Sequence, residues 1–123
     1  MIGMRRLASV LCVGALVLVS CSSEKTSGEA PFEVPGEPVQ TNEVDLPKSY
    51  KFSPAVIDID AGTTVTWMNN DNFPHNVHLL DGSDRTVPIG IGESGSITFD
   101  EPGTVFYECS IHPQQMRGKI TVR

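Results

Sequence analysis

Four side chains that can bind a soft metal ion lie in two short loops of the chain. The first loop reads Asn-Phe-Pro-His-Asn-Val and contributes His75. The second reads Cys-Ser-Ile-His-Pro-Gln-Gln-Met and contains Cys109, His112 and Met116. One thiolate, two imidazoles and one weak thioether form the ligand set of an electron-transfer copper centre, whereas zinc more often recruits further thiolates or carboxylates. The residues therefore predict a mononuclear copper site.

Each of these side chains also has an ordinary interpretation. A lone cysteine is often a small buried apolar residue, and a methionine commonly fills a core. His75 could be a turn residue beside a proline, and His112 an exposed loop residue. The close spacing of Cys109 and His112 in one loop favours chelation. His78 follows His75 by three positions, so on a strand it points to the opposite face and is predicted to be structural or exposed.

The alternation of apolar and polar residues predicts the strands that carry these loops. Ile57 and Ile59 alternate with aspartates, and Val65 and Trp67 alternate with threonines. The same reasoning predicts strands over 55–60, 63–68, 75–80, 96–99, 104–109 and 119–122, separated by turn-forming groups such as the glycine-rich 88–95. No segment shows a sustained helical period. Short strands at this spacing predict an all-β sandwich or small barrel.

Composition limits the classes of function. A chain of 123 residues provides one domain, and 11 glycines with 9 prolines favour many turns over long helices. The formal net charge is −6, which argues against a nucleic-acid partner.

The N-terminus has the pattern of a secretion signal. Two arginines precede an apolar run over 7–19, which is shorter than the roughly 20 residues that a membrane-spanning helix needs. The junction Leu-Val-Ser-Cys resembles a bacterial lipobox, so we predict a signal peptide over 1–20 and lipidation of Cys21, which would anchor the protein to the outer face of the cell membrane. The alternative is a secreted protein without an anchor. Cleavage removes Cys12 and lipidation consumes Cys21, so Cys109 would be a solitary thiol that must be buried or bound in an oxidising compartment.

The following segment, 21–46, is predicted to be an acidic, disordered linker. Its residues from 22 onward include six acidic residues, one lysine and three prolines, with only scattered apolar positions. The alternative is that Phe32 or Val34 packs on the domain. The folded unit is then expected over 47–123, a small domain for which a bound metal would add stability.

The sequence resembles the cupredoxins, small blue copper proteins of the plastocyanin and amicyanin type, over roughly residues 48–123. Residues 72–77 resemble the family's first ligand loop, and Cys109-x-x-His112 with Met116 and the following Gly-Lys-Ile-Thr-Val resembles its last ligand loop and last strand. A further match is to the family's opening hairpin, at Phe52, Pro54, Ile57, Gly62, Val65 and Trp67.

The resemblance implies an antiparallel Greek-key β-sandwich with one type 1 copper ion at one end. It also implies that Asn76 hydrogen-bonds across to the cysteine loop and fixes the ligand geometry. One departure concerns loop length: three residues separate His112 from Met116, whereas amicyanin-like loops have two and plastocyanin-like loops have four. Met116 is predicted to be the axial ligand, with Gln114 and Gln115 as competitors.

These observations predict a one-electron carrier at the outer face of the cell membrane, working with redox partner proteins that are themselves membrane-associated. The alternative is a copper-handling or copper-sensing lipoprotein that binds and delivers the metal. An enzyme is not expected, because the sequence offers no substrate pocket, no second copper site and no Ser/His/Asp arrangement. No small-molecule substrate is therefore predicted.

Overall fold

The computed structural model describes residue 14 and residues 30–123, and the described residues form nine strands and no helix. The strands are β1 (Val39–Gln40), β2 (Glu43–Leu46), β3 (Val56–Ile59), β4 (Thr63–Asn69), β5 (His75–Leu79), β6 (Thr86–Ile89), β7 (Ser94–Phe99), β8 (Gly103–Glu108) and β9 (Arg117–Val122). The predicted all-β fold is confirmed. The predicted signal peptide, apart from residue 14, and Cys21 lie outside the described residues.

Two sheets pack against each other. One has the strand order β1-β3-β9-β8-β5-β6, and the other has the order β2-β4-β7. The pairs β4–β7, β5–β6, β5–β8 and β8–β9 are antiparallel, as expected. The pairs β1–β3, β3–β9 and β2–β4 are parallel, so the sandwich is built from mixed sheets.

The core contains the apolar faces of both sheets. Val65 and Trp67 of β4 are fully buried, and so is Tyr107 of β8 on the opposite sheet. The ring centroids of Trp67 and Tyr107 lie 5.4 Å apart at 77°, an edge-to-face geometry that favours aromatic pairs. Gly118 of β9 is required here, because a Cβ at this position would overlap the Tyr107 ring.

The folded unit begins earlier than the predicted boundary at residue 47. Strands β1 and β2 lie within the segment predicted to be disordered, and β2 pairs in parallel with β4. Val44 and Leu46 are buried in the core, 2% and 0% exposed, while Glu43 remains exposed. This two-residue alternation outweighs the acidic composition, because one face of the strand packs on the core and the other carries the charges. The prediction of disorder is therefore wrong for residues 39–46.

The N-terminal residues before β1 also contact the domain. The ring of Phe32 lies 5.7 Å from that of Phe106, and the guanidinium carbon of Arg117 lies 4.5 Å from the centroid of the Phe32 ring. The alternative that Phe32 packs on the domain is therefore the correct one.

The turn predicted over 88–95 overlaps the end of strand β6, which contains Pro88. This strand pairs only with β5 and ends the order of its sheet. Pro88 is tolerated there because an edge strand does not need every backbone donor for the sheet.

Among the described residues, no helix has the length and apolar character to cross a membrane.

Candidate metal centre

Strand pairing brings the two predicted ligand loops together. His75 is the first residue of β5, and Cys109 directly follows β8. The two strands are antiparallel, with His78 opposite Glu108, so the beginning of β5 lies beside the end of β8. Met116 directly precedes β9, which pairs with β8. Residues 34 positions apart in sequence are thus placed at one end of the sandwich.

Three of the predicted ligands converge. One potential ligand atom from each of His75, Cys109 and His112 lies within 4.8 Å of the others. The Sγ atom of Cys109 lies 3.8 Å from Nδ1 of His75. Cys109 and His75 are buried, at 0% and 2% exposure, whereas His112 is partly exposed. The thiol of Cys109 is therefore protected from solvent.

The loop that joins Cys109 to Met116 is fixed by its own backbone. The N–H of His112 donates to the carbonyl of Cys109 over 3.1 Å, and the N–H of Met116 donates to the carbonyl of His112 over 3.0 Å. The N–H of Cys109 closes the loop by donating to the carbonyl of Met116 over 3.0 Å. Met116 is fully buried, while Gln114 and Gln115 are exposed. This contrast favours Met116 over either glutamine for the axial position.

Asp71 is a residue of this site that the sequence prediction missed. Its Oδ2 accepts a hydrogen bond from Nε2 of His75 over 2.8 Å, and both side chains are buried. This hydrogen bond lowers the pKa of Asp71 although burial acts in the opposite direction. A proton on Nε2 leaves the Nδ1 lone pair of His75 free on the side of Cys109, which is the form that binds a metal. The available signal was an aspartate four residues before His75 in an asparagine-rich turn.

Asn76 joins the two ligand loops. Its Nδ2 donates to Oγ of Ser110 over 2.7 Å, and the N–H of Ser110 donates to its Oδ1 over 2.8 Å. Its backbone N–H also points at Sγ of Cys109, 3.5 Å away. These are the contacts across to the cysteine loop that the resemblance implied, and their effect on a bound metal stays a prediction.

His78 lies away from this cluster. Its Nε2 lies 2.6 Å from Oδ1 of Asp84, and its Nδ1 lies 3.6 Å from Oε1 of Glu108. The hydrogen bond with Asp84 is the main cause that raises the pKa of His78, with Glu108 adding to it and burial opposing it. The expectation that His78 faces away from His75 agrees with this geometry.

The residues present fit a copper ion. Nδ1 of His112 is buried and has no hydrogen-bond partner among the described residues, although a buried polar atom normally has one. A metal ion would satisfy this atom, and the neighbouring thiolate and second imidazole complete a donor set that suits copper.

Residues 39–123 match the family of copper binding proteins described as the plastocyanin/azurin family. The chain belongs to this family. It is 38% identical over 90 residues to amicyanin-alpha of Methylorubrum extorquens, and this alignment covers 69% of this chain and 74% of the relative. It is 40% identical over 87 residues to plastocyanin of Scenedesmus fuscus, covering 58% of this chain and 86% of the relative.

The solved structures agree with the sequence relatives. A purple cupredoxin from Nitrosopumilus maritimus superposes with a TM-score of 0.58 at 32% identity, covering 66% of this chain and 98% of that one. The predicted family and the predicted cofactor, one type 1 copper ion, are thereby confirmed.

Proposed function

We propose that this protein is a one-electron carrier whose copper ion is held by His75, Cys109 and His112, with Met116 as the axial ligand. The observation that carries the proposal is the convergence of three donors in a site that buries the thiolate. Donors fixed by hydrogen bonds within and between the ligand loops suit electron transfer, because such ligands need little rearrangement between oxidation states.

Copper bound to a thiolate and two imidazoles supplies reversible one-electron chemistry. The protein's own contribution is to hold the donors still. The carboxylate of Asp71 orients His75, and the two hydrogen bonds between Asn76 and Ser110 keep the ligand loops at a fixed separation. The fully buried side chains of Cys109 and Met116 keep water away from the sulfur donors.

His112 is the route by which electrons would enter or leave. It is the one member of the cluster of three that is partly exposed. Exposed apolar side chains lie next to both ligand loops, with Ile111 53% exposed and Phe73 45% exposed. Apolar surface around a partly exposed ligand fits the docking of a redox partner protein, because such contacts desolvate easily and release quickly.

The carrier is proposed to work at the outer face of the cell membrane, anchored through a lipidated Cys21. Phe32 already contacts the domain, so the free tether is shorter than a linker that ends at residue 46. The 11 residue-to-residue steps from Cys21 to Phe32 span at most roughly 40 Å when fully extended. A tether of this length supports electron exchange with membrane-associated partners and keeps the domain near the lipid surface. Conversion of Cys21 to alanine should release the protein or leave it unprocessed. Recovery of the unmutated protein in the soluble fraction after gentle lysis would reject the anchor.

The carrier and the copper-handling alternative are separated by voltammetry and metal release. A carrier gives a reversible one-electron wave and retains its copper against a weak chelator in both oxidation states. Rapid loss of copper to a weak chelator, without a reversible wave, would favour the handling protein. An enzymatic role is not proposed.

The axial assignment has its own test. Met116→Leu should keep the visible colour and raise the reduction potential, because a weak donor to Cu(II) is lost. An unchanged potential in this variant, together with a shifted potential in Gln114→Ala or Gln115→Ala, would transfer the axial role to that glutamine.

A further inference from the structure

Tyr50 has a backbone conformation that large side chains rarely adopt. Its φ is 52°, and Asp84 is the other described non-glycine residue with a positive φ. Aspartate enters this left-handed region more easily than tyrosine, because its short polar side chain can hydrogen-bond locally. A strained tyrosine persists only where the surrounding structure holds it, and such positions cluster at functional sites.

The ring of Tyr50 contacts the rings of both histidines in the site. Its centroid lies 4.8 Å from that of His112 at 63° and 6.0 Å from that of His75 at 87°. Phe73 covers a further part of Tyr50, with 5.6 Å between the ring centroids. The left-handed backbone at residue 50 is therefore associated with an aromatic ring packed directly on the metal-binding end.

The two histidines differ in how they are held. His75 is buried and hydrogen-bonded to the carboxylate of Asp71. The ring of His112 makes no hydrogen bond to any described residue, and its buried Nδ1 has no partner. Its ring contacts the rings of Tyr50 and His75, with 4.8 Å and 5.4 Å between the ring centroids.

We propose that Tyr50 is a positioning residue for His112. Packing of the Tyr50 ring orients His112, as the hydrogen bond to Asp71 orients His75. This inference rests on the proposed copper site. The edge-to-face contact limits the rotation of the partly exposed His112 ring, so its ligand nitrogen stays near Cys109 in a position to bind the metal. Loss of the ring should let His112 leave the site more often, and copper should dissociate faster.

Two matched variants of the full chain test this proposal. Tyr50→Phe keeps the ring and the strained backbone, whereas Tyr50→Asn removes the ring and places a residue that tolerates a positive φ. An aromatic pair can change an equilibrium by about two- to twelvefold beyond the effect of its buried area. Copper should therefore pass to a competing chelator about two- to twelvefold faster from Tyr50→Asn than from the unmutated chain. The rate for Tyr50→Phe should stay within about twofold.

Two measurements on the metal-free chain exclude a general loss of structure. The thermal unfolding midpoint of Tyr50→Asn should lie within a few degrees of the unmutated value, because relief of strain offsets the lost packing. Nuclear magnetic resonance should detect contacts between the rings of residue 50 and His112 in the unmutated chain and in Tyr50→Phe, and greater motion of the His112 ring in Tyr50→Asn.

Equal release rates in Tyr50→Asn and the unmutated chain would overturn the proposal. So would a Tyr50→Phe variant that releases copper as fast as Tyr50→Asn, because the ring would then not be the cause. Failure of the copper site itself has a different signature. The unmutated chain and both Tyr50 variants would then all lack an intense visible band when loaded with Cu(II).

Discussion

The hydrogen bond between Asp71 and His75 gives a prediction whose size follows from the structure. Asp71 uses both carboxylate oxygens: Oδ2 accepts from Nε2 of His75, and Oδ1 accepts from the N–H of Asn72 over 2.7 Å. Asparagine has one acceptor oxygen, so Asp71→Asn can satisfy only one of these donors. If its amide nitrogen faces His75, the imidazole must move its proton to Nδ1, the nitrogen that lies 3.8 Å from Cys109.

The expected loss of copper affinity is about 10- to 100-fold. A hydrogen bond to a charged group contributes about 1.5–3 kcal/mol, and each 1.4 kcal/mol is a tenfold change in an equilibrium constant. Removing the partner of a metal-ligating histidine costs a similar factor, typically 10- to 100-fold in metal affinity. Both estimates give the same range for the loss of copper affinity.

The assay is competition for Cu(II) between the protein and a chelator of known affinity, followed by visible absorption. Asp60→Asn is the matched control, because it removes the same charge from an exposed position outside both ligand loops. The control should bind copper as the unmutated chain does. An Asp71→Asn variant whose affinity stays within twofold of the control would refute the argument that this carboxylate prepares His75 for the metal.

Two further predictions concern stability. Gly118→Ala should lower the free energy of unfolding by about 3 kcal/mol or more, because the new Cβ overlaps the buried Tyr107 ring and neither residue has room to move. If chemical denaturation gives a free energy of unfolding within about 1 kcal/mol of the unmutated value, the core adapts and the prediction is wrong. The raised pKa of His78, caused first by Asp84 and then by Glu108, stabilises the fold below the ordinary histidine pKa of about 6.5, and this contribution is lost as the pH rises through the folded-state value. Asp84→Asn should therefore flatten the decline of the unfolding midpoint above that pH, and equal slopes in both proteins would contradict the assignment.

Local patterns were sufficient to predict most of the strands and the proximity of Cys109 and His112, whereas the approach of His75 to them was predicted from the donor chemistry and from the resemblance to the cupredoxins. Alternation in β3, β4 and β5 identifies the buried faces, and the close spacing within the second loop brings Cys109 and His112 together whatever the topology. The parallel pairing of β3 with β9 depends on residues more than 60 positions apart, and no local pattern reports it.

The errors have physical causes that act over longer distances. Val44 and Leu46 lie in an acidic segment whose average composition resembles a linker, yet β4 provides a partner strand and the core provides a place for both side chains. The contact of Asp71 with His75 and the conformation of Tyr50 depend on how turns are held by the rest of the fold. The composition of a segment is an average, so it does not show which single residues are held by contacts with the rest of the fold.

The central claim is that Cys109 is the thiolate ligand of a type 1 copper ion, and the visible absorption spectrum of the Cu(II)-loaded chain tests it most directly. The account predicts an intense band from charge transfer between the Cys109 sulfur and copper. Cys109→Ser should abolish this band while the metal-free fold remains intact. A band that persists in Cys109→Ser, or its absence from the unmutated chain under full copper loading, would contradict the account.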